Sequence, residues 1–437
     1  MKLRNLFLPL LVSGMTGTGI AGGISITTGL NSPTMHTGGG PAFLQVCLQV
    51  PRTERVERRP MNLSVVLDRS GSMSEQGKLE YAKQAICSLI DQLQEEDIFS
   101  LVIYDDVIDV VRPAGHVSDK RTLKDLVREI HPRNSTNLGG GMIEGFRQVE
   151  RNLRREYVNR VVLLSDGLAN VGITNPNELA GIARRNRNNG ISLTSMGVGL
   201  DYNENLMVAL SESGGGNYYF IESPHGIASI MHREFDLMSS VYAHRATIEI
   251  RCRDGVRVKD VIGHEWHVND GTCTVMLGDL YGGETRDITV ELQVPAGSGS
   301  CELLGGTVKR DADKGQSTEM ASFAAKVQYS SDIAVVERNR DMNMQSKADV
   351  AISTRAVEQA TKAMDEGRME DAKGIIGAAR TALEASPAAP SQDASGAMVK
   401  DQANKLGQYQ SMLSSGGDAR KAKKEIQYEN YKTQKQK

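Results

Sequence analysis

Two short apolar runs, Leu63-Ser64-Val65-Val66-Leu67 and Val161-Val162-Leu163-Leu164, constrain the fold of this chain more than any other feature. Short continuous apolar runs of this kind belong to strands buried on both faces, as in a parallel sheet covered by helices. Each run leads into a carboxylate. The first continues as Asp68-Arg69-Ser70-Gly71-Ser72, the second as Ser165-Asp166-Gly167. In an open α/β sheet, ligands collect beyond the carboxyl ends of the strands, where the strand order reverses.

The flanking pattern agrees. Between residues 60 and about 240 strand-like and helix-like segments alternate. Strands are expected at Asn62–Leu67, Ile98–Tyr104, Val107–Val111, Arg160–Leu164, Ile191–Val198 and Asn217–Ile221. Helices are expected at Lys78–Leu93, at Asp119–Ile130 behind a Ser118 cap, and at Met142–Glu156. Three more follow: one opened by Pro176, one at Asn203–Ser211 and one at Gly226–Ser239. Alternation with short loops implies a doubly wound, mostly parallel α/β sheet.

Outside this region the texture changes. Ala42–Val50 has the pattern of a strand, and strand-like runs recur without helices from Ala246 to about Val327. That rhythm is an antiparallel β-sandwich, and the early strand finds its partners there. The α/β domain is therefore expected to be inserted in the sandwich. The end of the chain carries amphipathic helices at Asp349–Met364, Met369–Leu383 and Ala397–Leu413, then a basic, solvated tail. The expected division is 1–23 leader, 24–59 first sandwich strands, 60–242 α/β domain, 243–335 remaining sandwich and 336–437 C-terminal helices with the tail.

Composition excludes some functions. With 437 residues, a net charge of -3 and 5% aromatics, neither a nucleic-acid surface nor base-stacking platforms are expected. The start, Met1-Lys2-Leu3-Arg4 followed by Leu6 to Val12 and then small residues, follows the pattern of a signal peptide. Export to the periplasm, cell surface or medium is expected, with no transmembrane segment and with peripheral envelope contact through the basic tail as an option. Of five cysteines, Cys87 reads as a core residue, while Cys47, Cys252, Cys273 and Cys301 lie on sandwich strands, where one or two disulfides are possible.

The two Asp-terminated strands and a third segment, Asn134-Ser135-Thr136-Asn137, supply hydroxyl and carboxylate oxygens and nothing soft. Such donors suit Mg²⁺, Mn²⁺ or Ca²⁺ and nothing softer. Ser70, Ser72 and Thr136 are expected to coordinate directly, Asp68 and Asp166 directly or through water. A cation with so few charged ligands stays electrophilic at a vacant position, which a partner's Asp or Glu carboxylate can fill.

Asp68-x-Ser70-x-Ser72, Thr136 and Asp166 together resemble the metal-ion-dependent adhesion site of von Willebrand factor type A domains, over roughly residues 60 to 240. The whole layout is similar to exported bacterial proteins of this superfamily and to the inter-alpha-trypsin inhibitor heavy chains. The resemblance implies a non-enzymatic protein for metal-dependent protein binding, cell adhesion or scaffolding. The alternative it leaves open is a cytoplasmic adaptor of a AAA+ or chelatase-type machine.

Catalytic constellations are absent from the sequence. No GxSxG elbow accompanies the serines. His264-Glu265-Trp266-His267 is not HExxH and lies on an expected strand, so a structural or surface role is read there. Gly139-Gly140-Gly141 lacks the Lys-Ser/Thr of a phosphate loop and is read as giving the Thr136 loop its path. Ser213-Gly214-Gly215-Gly216 is read as a helix exit.

Overall fold

Successive side chains of the Met61–Asp68 strand enter two different apolar layers, because a strand alternates its faces. Leu63, Val65 and Leu67 pack with Leu79, Ala82, Ile86 and Leu89 of the Lys78–Gln92 helix and with Met231 and Phe235 of the Ile227–Ser239 helix. Val66 points the other way, toward Met142, Phe146, Leu179 and Leu206 on the helices of the opposite face. The computed structural model describes residues 17–21, 23–52, 58–133, 135–311, 317–415 and 418–436.

The central sheet runs in the order Gly215–Ile221, Ser192–Val198, Val158–Ser165, Met61–Asp68, Ile98–Tyr104, Ile108–His116. Every pairing is parallel except the last. The two expected central strands are neighbours and are buried at all eight positions each. Their register pairs Leu67 with Leu164, so Asp68 and Ser165 emerge level with one another. The order reverses between these two strands, which makes their carboxyl ends the crevice of the sheet.

Several expected boundaries move. The third helix is Leu138–Glu150, four residues earlier than its apolar spacing implied, with Asn137 as the cap that accepts the Gly140 N–H. The three glycines therefore begin the helix and do not shape the loop before it. Glycine serves here to bring the helix close to the sheet: a Cβ on Gly141 would lie 2.5 Å from the Tyr104 ring, and one on Gly145 would collide with Val66. The Lys120–Arg128 helix is capped by Asp119 and not by Ser118, because the longer carboxylate reaches the Thr122 N–H.

The sandwich surrounds this domain in sequence. One sheet joins Gly17–Ala21, Ile24–Leu30, Gly40–Gln49, Thr285–Val294 and Arg257–Val261. The other joins Trp266–Asn269, Thr272–Tyr281, Val241–Cys252, Ser300–Asp311, Ser317–Ser330 and Thr34–His36. Leu44, Val46, Leu48, Ile288 and Val290 of the first meet Ile248, Ile250, Val275 and Val327 of the second in one core. Besides the strand read at Ala42–Val50, three further strands precede residue 60 among the described residues. Polar residues in Ser25-Ile26-Thr27-Thr28-Gly29 hide one of them, and Gly305-Gly306 hide Ser300–Asp311. Of the expected leader, residues 1–16 and 22 lie outside the described residues, while Gly17–Ala21 pairs with Ile24–Leu30. All five cysteines are free, so the possible disulfides are not formed. No described helix is long and apolar enough to cross a membrane.

The basic tail is corrected most. Residues 419–435 form a helix whose cations have assigned partners. Lys424 reaches the Tyr202 carbonyl at 2.7 Å and the Glu204 carboxylate, and Lys421 pairs with Glu222 at 2.6 Å. Tyr428 and Tyr431 stand edge-on to Tyr218, each with ring centroids 5.7 Å away, and the Tyr431 hydroxyl accepts the Tyr218 N–H of the sheet's edge strand at 3.1 Å. The helix thereby covers an edge that would otherwise invite pairing. We expect Tyr431→Ala to cost about 3 kcal/mol, because it opens a cavity and strands a buried N–H. Urea unfolding followed by circular dichroism measures this. A change below about 0.5 kcal/mol would mean the helix is only laid on the surface.

Candidate metal centre

The Asp68 carboxylate stands where its strand ends and is fully buried. Its Oδ1 accepts the Ser70 N–H at 2.8 Å, which turns the chain sharply and points both serines of the loop back over the sheet. Its Oδ2 accepts the Ser165 hydroxyl at 2.6 Å and the Tyr104 hydroxyl at 3.4 Å. Burial still dominates and pushes its pKa up to about 6. Ser70 and Ser72 hydroxyls lie 3.2 Å apart, and the Ser72 hydroxyl donates to Asp166 Oδ1 at 2.8 Å.

Thr136 arrives from the third loop. Its N–H donates to the Asn170 side chain at 3.0 Å, and its carbonyl accepts from the Asn170 and Val171 N–H groups at 3.1 and 3.3 Å. These bonds tie the Thr136 loop to the loop that follows Asp166. Gly167 lies between the donors: a Cβ there would sit 3.2 Å from Thr136 Oγ1 and 3.7 Å from Ser72 Oγ. All five residues expected from the sequence are thus gathered at one end of the sheet, with Asn134 outside the described residues. Three hydroxyls, two carboxylates and a gap that a methyl group would fill are a donor set that fits a small hard cation.

Three residues at this site escaped the sequence reading. Lys78 opens its helix, is 3% exposed, and donates to Asp166 Oδ2 at 2.6 Å. A lysine at a helix N-terminus opposes the helix dipole and calls for a carboxylate, and that is the signal that would have found it. Arg69, inside the serine motif, is buried and donates to Asp105 at 2.7 Å, while its carbonyl accepts the Arg133 N–H at 2.7 Å. It holds the first and third loops together. Ser165 braces Asp68 from the neighbouring strand end.

The rejected motif behaves as expected of a structural segment. Glu265 pairs with Arg184 and Arg187 at 2.8 and 2.9 Å, and His264 contacts the Ile262 carbonyl at 3.0 Å. Among the described residues no cluster of three or more His, Cys, Asp or Glu could hold a metal. A centre relying mainly on hydroxyls is of a different kind.

Residues 62–233 match the family model of the von Willebrand factor type A domain, and this part of the chain is such a domain. The chain is 27% identical over 251 residues to the uncharacterized protein YfbK of Escherichia coli (strain K12), covering 56% of this chain and 43% of that protein. It is 24% identical over 187 residues to inter-alpha-trypsin inhibitor heavy chain H3 of Mus musculus, covering 40% and 20%. These matches span less than half the length of those relatives. The solved structure of a von Willebrand factor type A protein from Catenulispora acidiphila superposes with a TM-score of 0.73 at 15% identity, over 96% of this chain and 99% of that one. The ArnB paralog VWA2 from Sulfolobus acidocaldarius gives 0.62 at 17% identity, over 95% and 98%. These two likenesses extend the shared fold beyond the type A domain to the sandwich and helices.

Proposed function

We propose that this chain is an extracytoplasmic, metal-dependent protein-binding or scaffolding protein, and not an enzyme. Asp68, Ser70, Ser72, Thr136 and Asp166 would hold a divalent cation, Mg²⁺ first and Mn²⁺ or Ca²⁺ otherwise. The bound cation supplies a positive, Lewis-acidic point able to accept an Asp or Glu carboxylate from a partner. The observation that carries this reading is the meeting of the five oxygen donors of three separate loops at the crevice of the sheet.

Lys78 gives the reading its electrostatics. Asp68 and Asp166 bring two negative charges and Lys78 one positive charge into a site shielded from solvent. Once a dication is bound, the balance is positive, which favours capture of an acidic group over ion binding as tight as possible. Lys78→Met is therefore expected to tighten Mg²⁺ affinity by roughly tenfold, since charges in a low-dielectric site interact strongly. Calorimetric titration with MgCl₂ tests it, and unchanged or weaker affinity in the folded variant would count against this role.

For the function itself, the full chain is immobilised and exposed to envelope extract with and without chelator, beside the Asp68→Asn variant. Capture that needs the metal and is lost in the variant supports the proposal. Equal capture by the variant overturns it.

A further inference from the structure

At the opposite end of the parallel sheet, where the type A domain meets the sandwich, lies a cleft of about 950 Å³. Arg59 and Arg155 reach it from the segments that lead into the two central strands, Arg245 and His244 from the Val241–Cys252 strand, and Arg310 from the end of Ser300–Asp311. Its carboxylates are Glu150, which is exposed, and Asp279, which is already held by Arg160 at 2.9 Å. Arg59, Arg155 and Arg310 have no ion-pair partner among the described residues. These three guanidinium groups face one uncommitted carboxylate among the described lining residues, a local excess in a chain whose net charge is -3.

The backbone arranges this excess at a cost. The register between Val241–Cys252 and Thr272–Tyr281 shifts on both sides of Arg245, and Arg245 itself has φ +47. A left-handed conformation is unfavourable for a residue with a Cβ and marks a position where structure holds strain for a purpose. The bulge aims the Arg245 guanidinium at the Asn188 carbonyl, 2.6 Å away, in the cleft wall. There burial and the like charge of Arg155 push its pKa down. Asn188, Asn189 and Ser192 add neutral polar groups to the same walls.

We propose that this cleft binds a small, multiply charged anion bearing phosphate groups. Guanidinium forks match phosphate oxygens two by two, and amide and hydroxyl donors complete the contacts. The volume suits a ligand of several linked phosphates or a phosphorylated metabolite and exceeds what a single phosphate fills. The site is separate from the Asp68–Asp166 centre and does not depend on it, because the two occupy opposite ends of the same strands.

The test uses the full chain with chelator present throughout, which removes any contribution from the metal centre. Sodium tripolyphosphate is titrated calorimetrically, with citrate as a carboxylate arm, at low and at physiological salt. Binding of tripolyphosphate in preference to citrate is expected, together with a loss of roughly tenfold or more in Arg155→Gln/Arg310→Gln. The remote exposed variant Arg420→Gln should bind like the parent. Arg155 is exposed, so the single Arg155→Gln variant, expected to weaken binding several-fold, replaces the double variant if that one melts early. No binding by the parent, or equal loss in Arg420→Gln, overturns the proposal. Stronger binding of citrate replaces the phosphate assignment with a carboxylate one and so overturns it as stated.

Discussion

Asp68→Asn is expected to lower divalent-ion affinity by more than about 100-fold while leaving the domain folded. The substitution keeps the side chain's volume but removes a negative charge and presents an amide where Ser165 and Tyr104 now donate. The metal-free protein should lose little, because this carboxylate is buried and its pKa is raised to about 6 by that burial, so its charge already costs the fold. The measurement is thermal unfolding with and without Mg²⁺. The parent should gain stability with ion concentration by mass action, and the variant should not. A variant stabilised by Mg²⁺ as much as the parent would remove Asp68 from the centre, and with it the proposed function.

The second large effect lies in the joint between the domains. Arg160 is wholly buried at the start of a central strand and divides its guanidinium between two carboxylates. One is Glu234 of the last type A helix at 3.2 Å, and the other is Asp279 of the sandwich at 2.9 Å. Glu234 also accepts from Asn217 at 2.7 Å and Tyr219 at 2.8 Å, so its carboxylate is well satisfied, while the buried Arg160 Nε has no hydrogen-bond partner. Arg160→Met leaves two buried carboxylates without their shared cation and should cost about 4 kcal/mol. Adding Glu234→Gln and Asp279→Asn should recover much of the loss, since the penalty lies in the unpaired charges.

The same network has a pH signature. Burial raises the pKa of Asp279, but His244 and Arg160 outweigh it and hold it down at about 2, against an ordinary 3.8. A depressed carboxylate stabilises the fold fully above its unfolded pKa and loses that contribution as pH falls through the folded one. Between about pH 4 and pH 2 the parent should lose this stability, and the Arg160 variant, lacking one of the two cations, should lose less. Melting curves across that window decide it. Equal acid sensitivity would show that Arg160 does not hold Asp279.

The candidate site was legible because its chemistry is local. Asp68, Ser70 and Ser72 are adjacent in sequence, and a buried parallel strand reads as an unbroken apolar run. The residues around them were not legible. Lys78 looks like the first polar residue of an amphipathic helix, and only the fold brings it to Asp166, 88 positions away. Arg69 is likewise an arbitrary residue inside the motif until Asp105 appears beside it. The C-terminal helix was misread for a related reason. Its apolar face is built from Ala422, Ile426, Tyr428 and Tyr431 among six described lysines and arginines, so its charges dominate the pattern. Those charges are matched by Asp201, Glu204 and Glu222, more than 190 residues earlier in the chain.

By itself, then, the sequence determined the class of sheet, its insertion in a sandwich and the five oxygen donors, since periodicity and donor type are properties of neighbouring residues. Tertiary structure alone decided which cation neutralises Asp166, how Arg160 joins two domains and where unpaired arginines collect. Charges act through space at distances that the order of residues does not record, and burial sets how strongly they act.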